Sequence, residues 1–275
     1  MMFRFLILCF LLVISAPSYA RSINSLNDAP PSIEDLIDLP KENEEPEKDA
    51  AALPLEIRMD AIKEAALSYG ARGGLAFRTW HIRQEMEGRA QYLDKVFNFR
   101  QLLIPAPSGL LIEPPVISEA MDAMIIDQRG MNAAVADRVL NINQNVRIVS
   151  APRTWRSYLE RDWGDTNPPP DILRPATDEE RAQWARFIEE GWEMGIEQAD
   201  DIFQSDLDKL TADYEGMVRY RVLLTQGMVT QPYALQEDRG VTGGGDEMRI
   251  GDRGLTITEV PKLQKGYQEW QSVNR

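Results

Sequence analysis

Three features of the chain invite a chemical reading: the glycine-rich stretch YGARGGLAFRTW at residues 69–80, a single histidine at His81, and abundant carboxylates. A phosphate loop would read G-x-x-x-x-G-K-[ST] after a strand, with its lysine on the phosphates, and a dinucleotide site would read G-x-G-x-x-G. Neither pattern is present: no lysine follows Gly73 or Gly74, and apolar residues at helical spacing precede Gly70. The stretch is therefore expected to be a bend. Gly70 would end one helix in left-handed conformation, and Gly73 and Gly74 would let the next restart at a new angle.

One histidine removes Ser-His-Asp triads with a spare histidine, His-x-x-x-His zinc sites and the common oxygenase triads. His81, beside Trp80 in a helical context, is expected to be a half-buried packing residue. The one cysteine, Cys9, lies in an N-terminal apolar run. Carboxylates are the acid/base chemistry that remains. A glycosidase-like pair acting on the cell wall would draw on Glu113 or Glu119 in EPPVISEA. Nothing in the sequence marks either as buried or perturbed, and Gly243 to Gly245 read as a flexible loop. With no nucleophile–base set, the expectation is a protein that is not an enzyme and takes no cofactor or metal.

The elements come next. Residues 1–20 have a basic start at Arg4, a short apolar run and small residues at Ser18 and Ala20, the form of a secretory signal peptide cleaved between Ala20 and Arg21. A product beginning there would contain no cysteine and would be held by its core without disulfides. Residues 21–52 hold nine acids against three bases and several prolines. That composition predicts an acidic disordered tether, in which Ile33, Leu36, Ile37 and Leu39 could form one amphipathic turn for a partner. The formal net charge of −14 argues against direct contact with nucleic acid or anionic headgroups.

A single domain is expected over 53–275, mainly α with small β ribbons (an α+β fold). Apolar spacing predicts helices between 55 and 97. A capping box of Thr177 and Glu180 opens a run, uninterrupted by proline, that predicts one helix of about 50 residues from 178 to about 228. Gly191, Gly195 and Ala199 form a smooth stripe on it, suited to close approach by another helix. Residues 97–117 read as a hairpin around PAPSG, 139–149 as extended, and MRIGDRGLTITEV as two short strands around Gly251 to Gly254.

Tryptophans set among arginines, as in APRTWRSYLERDW, have the composition of interface centres. Arg72, Arg78, Trp80, Trp155 and Arg156 are the candidate partner contacts. The segments YGARGGLAFRTWHI, FNFRQLLI…PPVISEA, APRTWRSYLERDW, EEGWEMGIEQADDIFQSDLDKLTADYEGMVRYRVLL and MRIGDRGLTIT together resemble the DotC family of type IVB secretion systems, the Dot/Icm-type and IncI conjugation-type machines. The likeness spans about residues 55 to 270. It implies a structural subunit of the secretion core at the periplasmic face of the outer membrane, working with DotD-like and DotH-like proteins and helping to place the DotH-like ring component. It implies no catalytic set and no cofactor. Family members are lipoproteins, whereas Cys9 here follows Leu8, too early and without the small residue lipidation requires. Attachment through partners is therefore expected, a lipid on Cys9 being the alternative. The rival function class is a peptidoglycan-acting or glycan-binding periplasmic protein.

Overall fold

The structure, a computed structural model, describes residues 29–39, 55–106, 109–126, 133–266, 268 and 270. The expected signal peptide, its cleavage point at Ala20 and Arg21, and most of the tether lie outside the described residues.

Its axis is helix α5, Asp178–Thr225, 48 residues long and opened by the capping box read from the sequence. Thr177 Oγ1 accepts from the Glu180 N–H at 3.2 Å, while Glu180 Oε2 accepts from the N–H groups of Ala176 at 2.7 Å and Thr177 at 3.4 Å. Four helix-start N–H groups need such partners. Glu180 also ties this end to helix α2 (Leu55–Gly88), because Arg58 donates to both its oxygens, at 2.9 and 3.3 Å, and to Ile172 O at 3.0 Å. Burial opposes the Glu180 charge, yet the bonds from Arg58 and from the Ala176 and Thr177 backbone outweigh it and hold the carboxyl below its usual 4.5. Its stabilising contribution is therefore complete above that value and lost as pH falls through the lower folded one. Glu180→Gln should melt below wild type at neutral pH, and the gap should close as melts are repeated down to about pH 3.

Helix α2 packs along α5, and it is continuous. The expected bend at GARGG does not form: Gly70, Gly73 and Gly74 all lie inside its 34 residues. They serve instead as a contact surface. A Cβ on Gly70 would sit against the backbone of Ile188, one on Gly74 against that of Trp192, and one on Gly73 against Leu36 and the Trp192 ring. The stripe on α5 faces back, Gly191 meeting Leu67 and Ala71 and Gly195 meeting Ala71 and Leu75. Without Cβ atoms on either side the two helices approach backbone to backbone, so the glycines are satisfied in helical geometry and no stop is required.

A second departure concerns the tether. Residues 29–39 carry helix α1, Ile33–Ile37, capped by Ser32 with Asp35 as its reciprocal partner. Leu36 is fully buried with Ile62, Tyr69, Ile188 and Trp192, and Trp184 Nε1 donates to Leu36 O at 3.1 Å. The apolar turn thus docks on its own domain. The space left by Gly73 is where Leu36 sits.

Helix α3 (Ala90–Val96) and a 3-10 turn (Phe99–Leu102) lead to strands β1 (Ile104–Pro105) and β2 (Leu111–Glu113), an antiparallel pair in which Ala106 N–H donates to Leu110 O at 3.0 Å. FNFRQL is thus largely 3-10 rather than strand. Strands β3 (Val116–Ile126) and β4 (Ala133–Gln144) form a long hairpin, and β5 (Arg147–Val149) returns to the other edge of β2. Helix α4 (Arg156–Leu159) and a 3-10 turn (Asp171–Leu173) precede α5. After α5, strands β6 (Tyr233–Gly244) and β7 (Glu247–Glu259) form a second long hairpin.

MRIGDRGLTITEV is therefore one strand and not two. Gly240, at φ 65°, absorbs a register shift, and Gly245, at φ 63°, makes the turn that the Gly-Gly-Gly run had suggested was a loose loop. The architecture is α+β, with the long helix packed on the N-terminal helices and, among the described residues, three antiparallel sheets around it.

Candidate functional site

The densest polar constellation gathers against the C-terminal half of α5, at Asp213, where β2, β4, β5 and α4 converge. Register places Glu113, the last residue of β2, directly opposite Arg147, the first of β5. Arg147 donates to both Glu113 oxygens, at 2.7 and 3.3 Å. Arg153, in the loop between β5 and α4, does the same from the other side, Nε to Oε2 at 3.0 Å and Nη2 to Oε1. Its remaining N–H groups go to Tyr158 Oη at 2.6 Å, Asp213 Oδ2 at 2.6 Å and Gln144 Oε1 at 3.0 Å. Tyr158 donates onward to Asp213 at 2.8 Å, and Gln144 Nε2 to the other Asp213 oxygen at 3.0 Å.

Glu113 is 2% exposed and Asp213 6%. Buried carboxylates persist only when paired and hydrogen-bonded, and here Arg153 gives three of its N–H bonds to these two carboxylates and the other two to Tyr158 and Gln144. Burial pushes the Tyr158 hydroxyl up to about 12, so it stays a donor. Burial also opposes the Arg153 charge, but its bonds to Glu113 and Tyr158 prevail and raise its pKa.

This bears on the two carboxylates singled out in the sequence. Each oxygen of Glu113 already accepts from two guanidinium groups, leaving little for water or a sugar hydroxyl. Glu119, on β3, accepts from Arg138 and, at 2.9 Å, from Arg219. The Arg138 bond outweighs burial and, with Arg219, holds Glu119 below the usual carboxylate range. A glycosidase acid needs the opposite shift. His81 is half-buried as a packing residue, its ring edge-on to Phe77 at 4.4 Å and Trp80 at 4.9 Å.

The five candidate contact residues do not form one patch. Arg72 is exposed and donates to Ser68 O of its own helix at 3.2 Å. Arg78 bridges α2 to α5 through Asp200 at 2.7 Å, with Glu85 at 3.6 Å. Trp80 is half-buried, and its Nε1 finds no acceptor among the described residues. Trp155 belongs to the core: it is 1% exposed, donates to Asp94 at 2.7 Å and presents no face to a partner. Arg156 lies over the Trp155 ring at 4.2 Å and pairs with Glu87, Asp94 and Glu160. Tryptophan and arginine adjacent in sequence mark a stacked core edge as readily as an interface.

Sequence reasoning missed two exposed apolar surfaces. Val241 and Ile250 are paired across the β6–β7 hairpin, with Met248 on the same side two residues on, and Met248 and Ile250 are 70% and 77% exposed. The β3–β4 hairpin exposes the cross-strand pair Met124 and Val135, and Met121, opposite Arg138, is exposed as well. The two-residue spacing of Met248 and Ile250 was the available signal in the β6–β7 hairpin. The Gly-rich composition around 240–254 hid it.

One buried hydroxyl lacks a role in any of this. Tyr220 on α5 is fully buried, its hydroxyl has no hydrogen-bond partner among the described residues, and burial pushes it up to about 12. Tyr220→Phe should raise stability by about 1 kcal/mol in denaturant melts, since an unsatisfied buried hydroxyl is a net cost.

Compared with known proteins, residues 56–272 match the family model described as type IV secretory system, conjugal DNA-protein transfer. No curated protein matches the chain.

Proposed function

The chain belongs to the type IV secretory system family for conjugal DNA–protein transfer, and from that premise we propose that it is a structural subunit of the secretion core of DotC type. It acts at the periplasmic face of the outer membrane beside DotD-like and DotH-like proteins, and assists placement of the DotH-like ring component. The motifs quoted above carry the finer assignment. The observation that carries the structural role is the pair of hairpins whose apolar side chains face solvent. Contiguous exposed apolar surface in a folded protein marks places where something else docks, and a lone two-stranded ribbon is marginal in water without such cover. Arg72, Arg78, Trp80 and Arg156 remain proposed contacts, with Trp155 acting from the core by holding Arg156 in place.

Among the described residues no helix is long and apolar enough to cross a membrane. Export with cleavage after Ala20 and attachment through partners is the reading the N-terminal sequence supports. Intact mass of the processed protein tests it, a product starting at Arg21 being expected and a diacylglyceryl Cys9 being contrary. The role itself is tested by fractionating membranes with and without the gene. The DotH-like protein should leave the outer-membrane fraction when the gene is absent; an unchanged distribution overturns the assignment. Turnover of a glycan by the purified protein, abolished by one carboxylate substitution, would restore the peptidoglycan reading.

A further inference from the structure

The contact between α2 and α5 changes character along its length. At Gly191 and Gly195 the two backbones touch, and Ala199 ends the run of small residues. One turn on, Ile202 and Phe203 of α5 and Thr79 and Ile82 of α2 line a common space. It is a cavity of about 170 Å³ that opens to solvent, with Leu159 of α4 and the half-buried Trp163 completing its wall.

The lining decides the chemistry of an occupant. Leu75, Ile82, Leu159, Ile202 and Phe203 supply apolar surface, and Ala199 leaves the space unfilled. The charges cancel, Arg83 and Arg161 standing against Asp162 and Asp206. That balance favours an uncharged apolar group, which the chain's net charge of −14 neither draws nor repels. The volume suits one ring, since an apolar protein cavity of about 150 Å³ takes up benzene. Phe203 and Trp163 offer ring surfaces for edge-on or offset contact. Arg161 donates Nε and Nη2 to Asp206, at 2.7 and 2.6 Å, and keeps Nη1 unspent on a side chain 56% exposed. Such an N–H group can meet a neutral carbonyl oxygen, which a peptide backbone carries beside each side chain.

The ring must come from another molecule. Residues 21–28, 40–54, 107–108, 127–132 and 271–275 contain no aromatic residue. Tyr267 follows Gln264, whose N–H donates to Met228 O at 2.8 Å past the C-terminal end of α5. The cavity lies beside Ala199 to Asp206, about 30 Å back along that helix.

We propose that this cavity anchors one uncharged aromatic side chain of a partner protein, its ring lodged between α2 and α5 and its backbone carbonyl at Arg161. Aromatic anchors in such pockets carry a large share of the binding energy at protein interfaces. The inference deepens the structural role by naming what one partner presents. Its test uses the purified protein, so its failure and failure of the membrane fractionation are separate results.

The probe is N-acetylphenylalanine amide, with N-acetylleucine amide and toluene as comparisons, titrated to millimolar concentration against the whole protein labelled at its isoleucine methyl groups. The Ile82 and Ile202 signals should shift and saturate, while Ile250, on the exposed hairpin, reports non-specific contact and should stay in place. The phenylalanine amide should bind more tightly than the leucine amide. Thr79→Leu, at a half-buried position in the lining, puts a larger apolar chain into the space and should weaken binding at least about tenfold. A Tm at or above wild type shows that this variant keeps the fold, and the wild-type shifts decide alone if it melts lower. Absence of a saturable shift, movement of Ile250 as large as that of Ile82, binding of toluene alone, equal binding of the leucine amide, or indifference to a folded Thr79→Leu would each overturn the proposal.

Discussion

Gly195→Ala is expected to destabilise the protein by about 3 kcal/mol, the upper end of what overpacking a close contact costs. Two effects compete. Alanine in a helix interior is favoured over glycine by about 1 kcal/mol. Against this, the new methyl would lie 2.7 Å from Leu75 N and closer still to Ala71 O. Both are backbone atoms of α2, which cannot rotate aside as a side chain could, so the helices must separate and loosen the packing of Trp192 and Leu36. The clash wins.

Gly88, at the end of α2, provides the control, because a methyl there meets nothing within 4 Å. Gly88→Ala should be neutral or stabilising by up to about 1 kcal/mol. Urea denaturation of both variants checks the pair. Equal effects would mean that the glycines act through helix propensity and not through the α2–α5 contact.

Arg153→Met should cost about 3–5 kcal/mol, the range for removing one partner of a buried ion pair. The loss of a salt bridge is not itself the main term. Methionine would leave Asp213, 8% exposed at the side chain, without its guanidinium, and Glu113, 3% exposed, with Arg147 alone. The desolvation penalty of those carboxylates then stands without compensation. The same substitution in a Glu113→Gln, Asp213→Asn background should cost much less, since neutral amides do not need the charge. Denaturant midpoints for the four corners of that cycle measure the coupling. Additive costs would show that the residues do not act as one network.

The sequence carried the local statements well. Thr177 and Glu180 announced the start of α5, and the run of apolar residues to Val218 gave its length, because capping and 3.6-residue periodicity are properties of neighbours along the chain. The smooth face at Gly191, Gly195 and Ala199 was also legible, as a face awaiting a helix. What occupied that face was not. Gly70, Gly73 and Gly74 are as compatible with a helix stop as with a close contact, and only the presence of α5 opposite them decides for the contact.

Leu36 likewise reads as part of an acidic tether until Trp184, 148 residues away, accepts its burial and donates to its carbonyl. Glu113 could be taken for a catalytic acid on its own, and it is Arg147 and Arg153, brought from 34 and 40 residues further along by β2–β5 pairing, that make it an anchor. Periodicity and capping are fixed by bonds of short span. The meaning of a glycine, a buried leucine or a lone carboxylate depends on which atoms chain folding delivers to its other side, and that information resides in the tertiary contacts.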